Sequence, residues 1–397
     1  VSVLTPESPT APRPPRLGAG PWLRLARRLS GARGGLVSGA RTPTGAPTGV
    51  APSRRPRVTV VVPCFDYARH LPVAVGSALD QQDVDVDVVV VDDASTDDSL
   101  AVARRLAAAD PRVTVVARPV NGGPVATFNE GLRHVRGEYL VRLDADDALT
   151  PGSLARATAL ADAFPEVGLV YGSPRHFSGD RLPPARTRVR SWTVWSGPEW
   201  LDLRCRTGVN CITSPEVLMR TSVVEQVGGQ RDLDHTHDME MWYRLARAAD
   251  VGRVDGPDQA FHREHPASRS ARDVDVLTDL RERADAMTVL FTDGLGDPLQ
   301  DARLLAVARA ALAEEAVARV AQAVTRGWGG DATTDAYLAF AASQVDDPAA
   351  LPSARRLAVA LRVGPRRARF VPTLLLPAVG HRLATEARRL LWRRTGL

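Results

Sequence analysis

The 397-residue sequence contains no lysine, so all 51 of its Lys/Arg positions are arginine. That absence excludes Schiff-base chemistry, which needs a lysine amine. It equally excludes a Walker-type loop, whose lysine reaches the phosphates. Cysteine is scarce: Cys64, Cys205 and Cys211 are odd in number and share no metal-ligand spacing. This fits a reducing compartment better than a disulfide framework or a zinc site. Long apolar runs are also missing. The longest near the C-terminus, Phe370 to Val379, carries two prolines and is too short to span a bilayer. No N-terminal stretch joins a charged segment to a long apolar core, so no secretory signal is expected.

What is present describes a globular protein. Charged residues make up 24% and the mean hydropathy is −0.15, and the length suits two domains or one with extensions. The abundance of Ala, Val, Gly and Pro beside arginine fits a GC-rich coding bias and carries no mechanism. The net charge of +5 is mild but unevenly placed.

Residues 1–56 are rich in Pro, Gly, Ala, Ser, Thr and Arg, with Glu7 as the sole acid. Such a segment cannot bury enough apolar surface to fold, so a disordered basic tail is expected. Within it, Pro21 to Leu29 could form a short amphipathic helix on an anionic surface, or remain an arginine-rich linker. From Arg366 onward, Arg382, Arg388, Arg389, Arg393 and Arg394 are interleaved with Leu383, Leu390, Leu391 and Trp392. This reads as a basic amphipathic tail, placed at 364–397, that either caps a bundle or anchors to a membrane.

Between the tails, β-branched runs alternate with helical patterns. Val58 to Val62, Val84 to Val91, Val113 to Val116 and Glu138 to Leu143 read as strands buried on both faces. Helices are expected over Leu71 to Gln82, about Ser99 to Ala109, and Gly123 to about Val135. This alternation predicts an α/β fold with a mostly parallel, doubly wound sheet whose strand C-termini line one ligand-binding edge. A helix to about Phe164 and a strand at Val167 to Tyr171 follow, then a polar, loop-rich span from Ser173 to Cys211. A further helix starts near Asp238, and the pattern is helical beyond about residue 272.

The acidic stretch Asp144-Ala145-Asp146-Asp147 ends the fourth strand. Carboxylates this close repel one another and raise each other's pKa. In an extended chain Asp144 and Asp146 share a face and Asp147 takes the other. Such a pair suits a hard divalent cation that keeps positions for substrate phosphates. The alternative is an acidic turn into a helix, capped by Asp147 or Thr150 with Pro151 at its first position.

Taken together, these motifs resemble family 2 glycosyltransferases, inverting enzymes of the GT-A fold (Rossmann-like). The resemblance rests on Val58 to Tyr67, on Val89-Val90-Val91-Asp92-Asp93-Ala94-Ser95-Thr96-Asp97, and on Asn121-Gly122-Gly123, Asn129-Glu130-Gly131 and Gly137 to Leu140 leading into Asp144-Ala145-Asp146-Asp147. His237 to Trp242 is similar to the family's base motif, and Arg263-Glu264-His265 to a later motif near the diphosphate. It covers about 57–270, leaving 271–363 as a helical C-terminal region.

The resemblance implies sugar transfer from a nucleoside-diphosphate donor of the UDP or dTDP type to a hydroxyl on a glycan, glycolipid or lipid-linked sugar. It implies a divalent ion, Mg²⁺ or Mn²⁺, bridging the phosphates as a Lewis acid. Asp146 is then the leading metal ligand, Asp144 binds ribose or shares the ion, and His265 is a further ligand or diphosphate contact. Arg263 meets phosphate, Asp92 and Asp93 recognise the nucleobase, and Pro63 and Phe65 frame base and ribose. For Asp92 and Asp93 the alternative is an Asx-turn through Ser95 and Thr96. Asp238 is the general base; it could instead only cap its helix, and Glu240 is its competitor two residues on.

Two departures stand out. Phe128 occupies the position before Asn129 where the family often has arginine, so a phosphate contact is lost or supplied by another arginine. Ala94 replaces a frequent glycine and restricts the turn. Two other functions compete: a catalytically inactive nucleotide-binding scaffold, and a sugar nucleotidyltransferase, which leans on a lysine-rich phosphate loop. The basic termini suggest an enzyme at the cytoplasmic membrane face, with anionic lipid as a partner, in cell-envelope or extracellular polysaccharide synthesis. No nucleic-acid motif accompanies the charge, so no nucleic-acid partner is expected.

Overall fold

A computed structural model describes residues 55–265, 275–326 and 332–368, together with Val371 and Leu374. The N-terminal tail to residue 54 and nearly all of the basic C-terminal tail lie outside the described residues.

The first half alternates as its sequence pattern predicts. β1 (Arg57–Cys64), α1 (Leu71–Leu79), β2 (Asp85–Asp92), α2 (Ser99–Ala109), β3 (Val113–Ala117), α3 (Gly123–Leu132) and β4 (Tyr139–Arg142) follow in order. Pro72 and Pro124 sit in the first turns of α1 and α3, where a missing N–H costs nothing. β1, β2, β3 and β4 pair in parallel in the spatial order β3-β2-β1-β4. The valines of β1 and β2 are almost wholly buried, each worth about 2 kcal/mol of hydrophobic stabilisation. One-sided alternation is absent because helices cover both faces.

The second half extends this sheet. β5 (Ala148–Leu149), α4 (Ser153–Ala163), β6 (Val167–Phe177), β7 (Ser191–Trp195), α5 (Gly197–Thr207), β8 (Leu218–Arg220), α6 (Thr221–Val227), α7 (His237–Ala248) and β9 (Asp250–Arg263) follow. The sheet continues β4-β8-β6-β9-β5, with β7 also on β9. Its long β6–β9 ladder is parallel. β8 lies antiparallel between β4 and β6, and β5 and β7 are antiparallel to β9.

The span from Ser173 to Cys211 is more structured than expected. It completes β6 and contributes β7 and α5, with Trp192 and Trp200 buried. Polar residues and prolines masked these elements; α5 begins at Gly197-Pro198, again a proline in a first turn. The helix after the acidic turn also differs, since α4 starts behind Gly152 in the left-handed region (φ 72°). Neither Asp147 nor Thr150 caps it, and Pro151 precedes it.

The helical region includes α8 (Val276–Phe291), α9 (Pro298–Thr325), α10 (Ala332–Gln344) and α11 (Pro352–Val363), followed by a short helix at Pro365–Ala368. Met287, Leu290, Phe291 and Leu304 share a core with Trp200, Trp242 and Met219, so α8 and the start of α9 close one face of the sheet. Leu280 and Ala284 face a second core with Leu312, Val317, Phe340 and Leu357. Among the described residues no helix is long and apolar enough to cross a membrane.

Candidate active site

Parallel pairing brings the ends of β1, β2 and β4 to one edge. Cys64 lies opposite Asp92, and Pro63 opposite Val91. Beyond β1, Phe65 is exposed and Asp66 adopts a left-handed conformation (φ 59°). The Asp66 carboxylate accepts hydrogen bonds from the N–H groups of Thr96 (2.6 Å) and Asp97 (3.2 Å). It thereby pins the loop after β2 to the loop after β1.

At the end of β2 the two acids have different fates. Asp92 Oδ2 accepts from Ser95 N–H at 3.2 Å, while its buried Oδ1 has no partner. An Asx-turn therefore exists and still leaves one oxygen to bind a donor. Buried polar atoms are seldom left so. The turn places Ala94 at φ 58°, a conformation that strains a residue with a Cβ. Asp93 is spent inside: it pairs with Arg118 and accepts from Gly122 N–H (3.0 Å) and Gly123 N–H (2.8 Å). Gly123 sits at φ 80°, so the α3 entry there needs glycine.

The acidic turn after β4 divides in the same way. Asp146 Oδ2 lies 2.9 Å from His265 Nε2. The Tyr67 ring packs edge-on against His265, and His70 lies beyond it. Burial raises the Tyr67 hydroxyl pKa, and the charges of Asp146 and Asp144 raise it further. Asp147 is buried, accepting from Arg263 N–H at 2.8 Å and lying 3.2 Å from His262 Nδ1. Burial pushes Asp147 up to about 6 against the opposing hydrogen bond and charge of His262. Burial would lower His262, but the hydrogen bond and charge of Asp147 outweigh it and bring it to about 9. Asp144 is the more open acid and pairs with Arg142 at 3.0 Å.

Arg263 is buried rather than aimed at solvent. Its Nε donates to the Asp146 carbonyl (2.8 Å), Nη1 donates to the Gly179 carbonyl, and its plane lies 4.6 Å from the Phe177 ring. In this position it shapes the acidic turn and does not reach out for phosphate.

Asp238 stands in the first turn of α7, where Thr236 occupies the N-cap position. Its Oδ1 accepts from Met239 N–H at 2.6 Å. Burial raises its pKa, opposed by the charge of Arg142 and assisted by that of Asp144. Glu240 is fully enclosed, paired with Arg244 (2.8 Å) and Arg231 (3.1 Å). Both of its oxygens are occupied by guanidinium donors, which leaves none for an acceptor hydroxyl. The i,i+4 spacing of Glu240 and Arg244 was the sequence signal for this. Beside the start of α7 lies a cavity of about 190 Å³ lined by Asp232, Leu233, Asp234, Thr236, Glu282 and Asp285.

The fit to a divalent cation can be judged from the donor set. Asp146 and His265 converge as one carboxylate oxygen and one imidazole nitrogen, whereas Asp144 is turned to Arg142. Among the described residues no group of three or more His, Cys, Asp or Glu is arranged to hold a metal. Two side-chain ligands suit a cation whose other positions are filled by phosphate oxygens and water. Tyr67, His70 and Arg142 join the site without having been singled out from sequence. Tyr67 ends the first motif and carried a weak signal; the other two carried none.

Residues 59–228 match the family model described as Glycosyl transferase family 2. The succinoglycan biosynthesis protein ExoO of Rhizobium meliloti is 42% identical over 108 residues, 27% of this chain and 30% of that protein. The hyaluronan synthase of Pasteurella multocida is 35% identical over 102 residues, 26% of this chain and 10% of that protein. The matches thus span less than a third of either relative. A mannosyltransferase from Pyrobaculum calidifontis, solved with GDP-Man and Mn²⁺, superposes with a TM-score of 0.52 at 22% identity, covering 91% of this chain and 93% of that one. S. aureus TarS in complex with UDP-GlcNAc superposes with a TM-score of 0.52 at 16% identity, covering 77% of this chain and 91% of that one. At these identities the two structures share the fold.

Proposed function

Residues 59–228 belong to glycosyl transferase family 2, and from that premise we propose that the chain is an inverting glycosyltransferase using a nucleoside-diphosphate sugar. The observation that carries this reading is the half-buried carboxylate of Asp238 in the first turn of α7, which feels the charges of Arg142 and Asp144, themselves paired with each other. In this reading Asp92 Oδ1 takes an N–H of a uracil or thymine base, with Pro63 and Phe65 beside it. Asp93 holds the loop that shapes this pocket, and Asp144 faces the ribose. Asp146 and His265 would hold a divalent ion, Mg²⁺ or Mn²⁺, which when bound neutralises charge on the departing diphosphate.

Asp238 accepts the acceptor hydroxyl proton as the oxygen attacks the anomeric carbon from the face opposite the diphosphate, inverting that centre. Its raised pKa favours this, because a carboxylate left less solvated by burial holds a proton more readily. The cavity beside α7 is the acceptor side. Relatives named for succinoglycan and hyaluronan synthesis support a polysaccharide or glycolipid acceptor. The arginine-rich terminal segments support work at an anionic membrane face, which loss of liposome binding on their deletion would establish.

The test is Asp238→Asn. Transfer should fall by about 10³-fold while nucleoside-diphosphate binding persists; unchanged transfer would remove Asp238 from the mechanism. Failure of the wild-type chain to bind any nucleoside diphosphate with Mg²⁺ or Mn²⁺ would overturn the donor reading. A chain that binds donor but transfers nothing would favour the scaffold alternative.

A further inference from the structure

Arg142 is only 5% exposed, on a strand whose other residues are apolar. A guanidinium is costly to bury, and the fold would accept an apolar side chain of similar length there. Its partners show where the charge is used. Nε donates to Asp144 Oδ1 at 3.1 Å and Nη2 lies 3.0 Å from the same oxygen. Nη1 donates to Gln230 Oε1 at 3.2 Å, and the guanidinium lies 5.7 Å from the centre of the Phe128 ring.

Gln230 is itself fixed from both sides. Asn129 Nδ2 donates to the Gln230 carbonyl (2.7 Å), and Asn129 Oδ1 accepts from the Gln230 N–H (2.8 Å). The approach is so close that a Cβ on Gly229 would lie 2.3 Å from Asn129 Oδ1. One guanidinium therefore joins three pieces of chain: the Asp144 turn, α3 through Phe128, and the 228–236 segment that runs into α7 and Asp238.

We propose that Arg142 is a positioning residue, which holds the Asp144 carboxylate toward the donor and fixes the 228–236 segment so that Asp238 keeps one geometry relative to it. The proposal rests on the roles given above to Asp144 and Asp238. The planar guanidinium fork serves Asp144 and Gln230 at once while lying over Phe128, which a lysine ammonium could do only in part.

Arg142→Met keeps the length and the packing on Phe128 and removes only the charge and its hydrogen bonds. The donor KM should rise about tenfold and kcat fall about tenfold, while the acceptor KM stays within about twofold. Amide exchange over 228–238 should quicken, by about tenfold or more, with β1 to β3 unchanged. Arg142→Lys should recover part of kcat. Exchange and donor KM both at wild-type values in Arg142→Met would overturn the proposal. So would a parallel loss of donor and acceptor affinity with faster exchange in β1 to β3, which marks a purely structural residue. A wild-type chain that turns over no donor would instead overturn the transfer reading. The exchange comparison would still decide whether Arg142 fixes the segment before α7.

Discussion

The end of β2 and the turn after β4 carry the same dipeptide, Asp-Asp, and treat it alike. In each, the first acid keeps a place in the site, Asp92 through a buried Oδ1 that has no partner and Asp146 through Oδ2 beside His265. The second acid turns inward and is consumed by the scaffold, Asp93 by Arg118 and two N–H groups, Asp147 by His262 and the Arg263 N–H. At the end of β2 successive residues point to opposite sides, whereas Asp146 and Asp147 lie in a turn closed by the Asp147 N–H on the Asp144 carbonyl (3.0 Å); in both places the second acid is satisfied by the scaffold. The ends differ in the inward partner. Arginine keeps its charge at every accessible pH, whereas histidine does not.

The sharpest break of this parallel is at β4. Asp146→Asn should lower transfer by about 10²- to 10³-fold, since a charge aimed at the departing diphosphate is lost. Its unfolding free energy should stay within about 1 kcal/mol of wild type. Asp147→Ala should do the reverse, costing about 3 kcal/mol in denaturant unfolding by stranding His262. If both variants lose activity and stability together, the division of labour at β4 is wrong. At β2 a smaller effect is expected. Asp92→Asn should weaken binding of a uridine diphosphate about tenfold by calorimetry with little change in melting. Asp93→Asn should cost about 2 kcal/mol of stability, because Arg118 loses its partner. Equal effects of the two on affinity would show that Asp93 also touches the base.

β-Branched runs announce buried parallel strands, and the C-terminal edge of such a sheet is where ligands bind, so the pattern put Pro63, Asp92, Asp93, Asp144 and Asp146 together at that edge without telling which acids the scaffold would claim. The fates of Asp93 and Asp147 depend on partners that lie 25 and 115 positions away, and no local period reports them. Arg263 misled for a related reason. Its motif lies beside the site, but burial over Phe177 commits its guanidinium to two carbonyls. Arg142 went unseen because an arginine in an arginine-rich chain carries no signal until its neighbours are known. β7 and α5 were hidden because a strand read against prolines and polar neighbours loses its period.

The smallest expected effect tests the difference between the two inward partners. His262 has its pKa raised from 6.5 to about 9 in the folded protein. Its contribution to stability is therefore fully present below 6.5 and is lost as pH rises through about 9. Asp147, raised from 3.8 to about 6, acts in the same direction but at lower pH, so the window between 6.5 and 9 belongs to the histidine. The melting temperature of His262→Gln, subtracted from that of wild type, should show a benefit of a few degrees at pH 6 that fades by pH 9. The same subtraction for Asp93→Asn should be flat across that range, because the partner there is a guanidinium and not an imidazole. A flat His262 difference would mean that Asp147 and His262 share a neutral hydrogen bond, and that the two strand ends are satisfied by the same kind of contact after all.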